Sequence, residues 1–72
     1  MYRLYTKPSC PHCIHAKNLL RSTDREYVEI VVGVDCTVEE LKDLVPGVKT
    51  VPQIFDEDVY VGGFTELKEY LK

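Results

Sequence analysis

Cys10-Pro11-His12-Cys13 stands between a short apolar run and a helical pattern. Two thiols three positions apart can close a small disulfide with little backbone movement, and Pro11 pre-sets the dihedral of a first helical turn. Such a bridge can be made and broken repeatedly. At the opening of a helix, unpaired backbone N–H groups and the positive end of the macrodipole favour a thiolate over a thiol. Cys10, the more N-terminal sulfur, is therefore the expected nucleophile, with Cys13 as resolving thiol, and the chemistry is thiol–disulfide exchange. Two other uses of the pair stay open. One is a metal site drawing on His12 and His15, although Cys36 is alone and supplies no second pair. The other is a structural bridge, which across so short a loop would remove little chain entropy.

The elements around the pair follow from pattern. Tyr2 to Thr6 is rich in β-formers, and Lys7-Pro8-Ser9 breaks it just before Cys10. From Pro11 to about Thr23, Cys13, Ala16, Leu19 and Leu20 recur at helical spacing, with Lys17, Asn18 and Arg21 directed elsewhere. Cys13 thus begins the buried stripe and should keep a higher pKa than Cys10. Tyr27 to Val32 reads as a second strand ended by Gly33. Thr37 and Glu40 form a capping-box pattern, and Val38, Leu41, Leu44 and Val45 line a helix stopped by Pro46 and Gly47. Gln53–Phe55 and Val59–Val61 form a hairpin across Asp56-Glu57-Asp58, closed by Gly62-Gly63. Phe64, Leu67, Tyr70 and Leu71 line a last helix with Thr65 as its expected N-cap. The order βαβαββα predicts a right-handed parallel unit followed by an antiparallel hairpin. The fold class is α/β, thioredoxin-like, with a mixed four-stranded sheet and helices on both faces.

Size and charge limit the alternatives. Seventy-two residues make a single domain, residues 1–72, near the lower end of what folds alone, where about 60% of the unfolded surface is buried. The net charge of −3 gives no reason to expect nucleic acid or an anionic membrane as partner. No apolar run approaches the ~20 residues needed to cross a bilayer, and no charged segment followed by an apolar stretch opens the chain. Three cysteines, an odd number, argue against a stapled secreted fold. A soluble, monomeric, cytoplasmic protein is expected.

Several segments together resemble a small dithiol glutaredoxin: Tyr5-Thr6-Lys7, Cys10-Pro11-His12-Cys13, Ala16-Lys17, Thr50-Val51-Pro52-Gln53-Ile54-Phe55 and Gly62-Gly63-Phe64. They span nearly the whole chain, in family order and spacing. The resemblance implies a glutathione-dependent oxidoreductase acting on protein disulfides or glutathionylated thiols, with glutathione as co-substrate and no metal. It implies a cis peptide before Pro52, facing the cysteines, and a Val51 backbone that pairs with glutathione as an added strand. Lys7 would lie near the thiolate and a glutathione carboxylate, and the Gly-Gly segment and following helix start would hold the γ-glutamyl end. By that pattern Lys7, Cys10, His12, Thr50, Val51, Pro52, Gly63, Phe64 and Thr65 surround the tripeptide.

Three departures from the family pattern carry expectations of their own. His12 replaces the usual Tyr and makes the central dipeptide resemble that of strongly oxidising periplasmic disulfide oxidases. An imidazolium there would move the potential above the roughly −200 to −230 mV of glutaredoxins. Phe64-Thr65-Glu66 stands where many members carry acidic residues. Phe there resembles glutaredoxin-like electron donors of ribonucleotide reductase, some of them reduced by thioredoxin reductase. The last helix is short, as in a minimal version of the fold. The family also leaves room for a carrier that shares a [2Fe–2S] cluster between two domains through Cys10 thiolates and glutathione.

Overall fold

Strand β1 (Tyr2–Thr6) carries apolar side chains on both faces, so it needs cover on both sides and belongs inside a sheet. The computed structural model, which describes residues 1–72, places it there. The sheet runs β2-β1-β3-β4, where β2 is Tyr27–Val31, β3 is Gln53–Asp56 and β4 is Val59–Gly62. β1 pairs parallel with β2, Tyr2 facing Tyr27 and Thr6 facing Val31, and antiparallel with β3, Tyr2 facing Asp56 and Tyr5 facing Gln53. The hairpin β3–β4 pairs Phe55 with Tyr60 and shifts register between Ile54 and Phe55. This is the mixed thioredoxin-like sheet expected from the order of elements.

Helices α1 (Pro11–Ser22) and α3 (Phe64–Tyr70) cover one face, and α2 (Val38–Leu44) the other. On the first face Tyr2, Leu4, Ile54, Ala16, Leu20 and Leu67 form one buried cluster. On the second, Tyr5, Val32, Leu41 and Phe55 form a smaller one. The stripe expected on α2 is narrower than its pattern. Leu41 is buried, whereas Val38 and Leu44 stay exposed and Val45 lies beyond the helix end. Seven residues make two turns, too few to lay a full apolar face on the strands. No helix is long and apolar enough to cross a membrane.

Each helix start has its own cap. Cys10 is the N-cap of α1, and Pro11 occupies the first helical position, where its missing N–H costs nothing. Thr37 caps α2 through a complete capping box: Glu40 N–H donates to Thr37 Oγ1 at 3.1 Å, and Thr37 N–H donates to Glu40 Oε1 at 2.9 Å. The cap of α3 differs from expectation. Gly63 is its N-cap, and Thr65 is the second residue of the helix. Glycine has no side chain to contribute, so only the reciprocal half of a capping box forms, Gly63 N–H donating to Glu66 Oε1 at 2.8 Å.

Candidate active site

The loop between β1 and α1 holds the dithiol. Ser9 lies at φ 60°, in the left-handed region, and with Pro8 before it turns the chain sharply from strand end to helix start. Cys10 Sγ then sits in the N-cap position and accepts from Cys13 N–H at 3.2 Å, satisfying one of the helix's unpaired donors. The same sulfur faces Val51 O at 3.7 Å. Cys10 is half-buried and Cys13 only 2% exposed, since Cys13 opens the stripe that continues through Ala16 and Leu20. Burial, and next the contact with Cys10, push the Cys13 thiol up to about 12, while the Lys7 backbone and the Lys17 charge pull the other way. The two sulfurs are therefore chemically unequal.

A second segment faces them. The Val51–Pro52 bond is cis, and Pro52 is buried while Val51 is half-buried. Val51 N–H donates to no backbone carbonyl of the chain. An unpaired backbone N–H beside a reactive sulfur is a place for another chain to pair. Gln53 and Tyr60, which the sequence marks only as strand residues or part of a family segment, hold this segment. Gln53, buried, donates from Nε2 to Thr50 O at 2.8 Å, and Tyr60 OH donates to Gln53 Oε1 at 2.5 Å. A polar residue inside an apolar strand was the available signal.

An open groove of about 270 Å³ runs from this segment to the start of α3. His12, Thr50, Val51, Pro52, Gly63, Phe64 and Thr65 all line it, with Glu66 beside them. Seven of the nine residues assigned to glutathione thus share one cavity. Lys7 and Cys10 lie outside its lining: both line a neighbouring cavity, and Lys7 also lines a groove that shares Thr50 and Val51 with this one. His12 is exposed, and its ring centroid is 6.2 Å from that of Phe64 and 6.5 Å from that of His15. Phe64 and His15 are 5.6 Å apart, so the helix-α3 start is docked on α1 by ring contacts. Gly62 is a steric requirement here. Gly62 has φ +122°, and a Cβ on it would come 2.8 Å from Glu66 Cβ.

Behind the dithiol, a cavity lined by both cysteines also contains Thr6, Lys17 and Glu29. Thr6 Oγ1, fully buried, donates to Glu29 Oε2 at 2.8 Å, and Lys17 Nζ lies 3.1 Å from the same oxygen. Lys17, directed away from the apolar stripe of α1, is therefore turned toward β2 and paired there. The Thr6 hydroxyl first, then the Lys17 ammonium, hold the Glu29 carboxyl below its usual range. Cys36 takes no part in the site. Its residue bridges to Val32, and burial, then Glu40 and Asp35, push its thiol up, away from the reactive form.

A dithiol at a helix N-terminus, opposed by a cis-proline segment and carried on a β2-β1-β3-β4 sheet, defines the chain as a thioredoxin-like dithiol protein. Comparison with known proteins narrows the class. The Glutaredoxin family model matches residues 3–61, and the chain belongs to the glutaredoxin family, whose members are thiol–disulfide oxidoreductases. It is 46% identical over 63 residues to glutaredoxin 1 of Rickettsia felis, covering 83% of this chain and 61% of that one. It is 39% identical over 67 residues to hybrid peroxiredoxin hyPrx5 of Haemophilus influenzae, covering 93% of this chain and 27% of that one. The chain thus spans less than two thirds of either relative. Among solved structures, glutaredoxin 1 from Francisella tularensis complexed with cacodylate superposes with a TM-score of 0.81 at 30% identity, over 97% of this chain and 90% of that one. A buckwheat glutaredoxin–glutathione complex shares the fold, with a TM-score of 0.83 at 23% identity over 97% of this chain and 66% of that one.

Proposed function

We propose that this protein is a glutathione-dependent thiol–disulfide oxidoreductase that reduces protein disulfides or glutathionylated thiols in the cytoplasm. The observation that carries the reading is the inequality of the two sulfurs: Cys10 Sγ caps α1 and faces the Val51 backbone, while Cys13 is enclosed and pushed up to about 12. Cys10 as thiolate attacks a substrate sulfur, forming a mixed disulfide and releasing the substrate's other thiolate, which takes a proton from solvent. Either Cys13, on losing its proton, or a glutathione thiolate then displaces the bound sulfur. If Cys13 does so, two glutathione molecules restore the dithiol and leave as glutathione disulfide.

Glutathione is supported as the co-substrate by family membership and by the glutathione complex of a protein with the same fold. In this reading the cysteinyl residue of glutathione pairs with the free Val51 N–H. Its γ-glutamyl carboxylate reaches the first-turn N–H groups of α3, which have no intrahelical partner. Thr50, Pro52, Gly63, Phe64 and Thr65 form the walls of that groove, His12 flanks it, and Lys7 meets the glycine carboxylate from across Val51.

The test is a pair of variants. Cys10→Ser abolishes both protein-disulfide reduction and deglutathionylation, whereas Cys13→Ser keeps deglutathionylation. The opposite pattern would reverse the assigned roles. Side-by-side turnover with glutathione plus glutathione reductase, and with thioredoxin reductase, tests the electron source. Much faster reduction by the latter sinks glutathione dependence and favours the ribonucleotide reductase donor role.

A further inference from the structure

A second groove, of about 160 Å³, shares Thr50 and Val51 with the one that reaches α3. Its floor is apolar: Val32 and Leu41 are buried there, Val48 is half-buried and Val38 stands 39% exposed at the edge. Lys7 and Lys49 are the charged residues in its lining, and no carboxylate lines it. That makes it a cationic, apolar spot on a protein of net charge −3. It shares Lys7 with the cavity that Cys10 lines, and Val51, whose carbonyl faces the Cys10 sulfur at 3.7 Å, so whatever is bound to Cys10 has this groove beside it.

We propose that this groove is the protein-substrate subsite, which takes an apolar side chain following the substrate's reactive cysteine and sets an acidic residue after it against Lys49. The proposal rests on the glutathione reading in one respect, the direction of the bound chain. With the γ-glutamyl side of the cysteinyl residue at α3, its carboxyl side leaves across Val51 toward Lys7 and the second groove. Glutathione ends there in glycine, which has no side chain, and leaves the apolar floor uncovered. A polypeptide continues and covers it. The groove thereby separates protein substrates from glutathione, and an extended segment of the form Cys-apolar-acidic matches its floor and rim in that order.

The step read out is the first exchange. Cys10 thiolate attacks one sulfur of a symmetric peptide disulfide, a Cys10–peptide disulfide forms, and one peptide thiolate leaves and is protonated by solvent. Because the substrate is symmetric, a peptide sits on Cys10 whichever sulfur is attacked. Pre-reduced protein is mixed in single turnover with disulfide homodimers of capped peptides containing Cys-Leu-Glu, Cys-Ala-Glu or Cys-Leu-Lys. The mixed disulfide of glutathione and 2-mercaptoethanol serves as the small substrate. The expected second-order rate constant for Cys-Leu-Glu exceeds that for Cys-Ala-Glu about tenfold, from the lost side-chain burial. It exceeds that for Cys-Leu-Lys about fivefold, from one partly exposed charge pair and one like-charge contact. Lys49→Glu reverses the Glu-over-Lys preference, and Val38→Asp removes the Leu-over-Ala preference. Both residues are exposed, and an acidic residue suits the first turn of α2, so both variants fold. Equal rates for the three peptides, or preferences that neither variant moves, overturn the subsite while leaving glutathione dependence intact if the small substrate still reacts. The predicted peptide order with no reaction of the small mixed disulfide supports the subsite and sinks the glutathione reading instead.

Discussion

On the α1/α3 side of the sheet Leu4, Ala16, Leu20, Ile54 and Leu67 are fully enclosed, whereas on the α2 side Val38, Leu44 and Tyr60 remain 39%, 47% and 50% exposed. The thin side is covered partly by side chains that are not helical at all. The Arg3 guanidinium lies 5.2 Å from the Phe55 ring centroid, its Nε without a partner, and Tyr60 leans on Phe55 at 5.3 Å. The difference divides the labour of a small domain. The packed side holds α1, and with it the dithiol, at a fixed distance from β1. The thin side leaves room for the groove beside Val51. A chain of this size has core enough to finish one face, and the unfinished face is where a partner has something to cover.

Truncation across the two faces is the strongest way to break this comparison. Leu67→Ala, in the α3 contact with the sheet, should cost about 2–5 kcal/mol, a large share of the ~4–11 kcal/mol expected for a domain this size. Leu44→Ala on α2 should stay within about 0.5 kcal/mol. Urea unfolding of the two variants decides it, and equal losses would show that α2 is as firmly packed as α1 and α3. Gly62→Ala should cost about 1–3 kcal/mol, because the left-handed φ and the 2.8 Å approach to Glu66 leave no room for a Cβ. An unchanged melting temperature would mean that α3 can shift away from β4.

The next test addresses the site that the packed face supports. Thr65→Pro should slow glutathione turnover about tenfold by removing a backbone donor to a charged group. Stability should hold, since the second helical position tolerates proline. Thr65→Ala should slow turnover only about twofold, because the hydroxyl is not the helix cap. Steady-state rates with glutathione, beside those with dithiothreitol, separate binding from access to the disulfide. Tyr60→Phe on the thin side should cost about 1 kcal/mol by leaving buried Gln53 Oε1 without its donor. It should also loosen the Thr50–Val51 segment, which faster amide exchange there would report.

The smallest effect concerns Glu29. Its carboxyl is held below the usual 4.5 in the folded protein, so it contributes stability that is present above that value and lost as pH falls through the folded pKa. Glu29→Gln should therefore flatten the loss of stability in acid while costing less than about 1 kcal/mol at neutral pH. Parallel acid titrations of the two proteins would sink this assignment by coinciding.

Local and periodic features were legible in the chain. Each of the four strands is recognisable from β-formers between breaks, and α1 from Pro11 and the spacing of Cys13, Ala16 and Leu20. The Thr37/Glu40 capping box follows from residue types alone, because partners three apart meet within one turn. Two cysteines at the same spacing were enough to indicate the chemistry for a similar reason. What the chain did not disclose is contact between distant segments. A hydroxyl residue is the usual cap, which points to Thr65, but the chain enters α3 at Phe64, so the cap falls on Gly63, next to a Gly62 that the approach of Glu66 requires. Lys17 reads only as lying off the apolar stripe of α1, and the parallel pairing of β1 with β2 brings Glu29 within its reach. Lys7 is marked in sequence only by the family resemblance and Lys49 by nothing, and the fold alone sets them both on the rim of one apolar groove. A sequence by itself determines what a few neighbouring residues can do, since backbone geometry ties them together. Which surfaces remain uncovered beside Cys10 depends on how far seven residues of α2 reach over a twisted sheet, and that is decided only when the chain closes on itself.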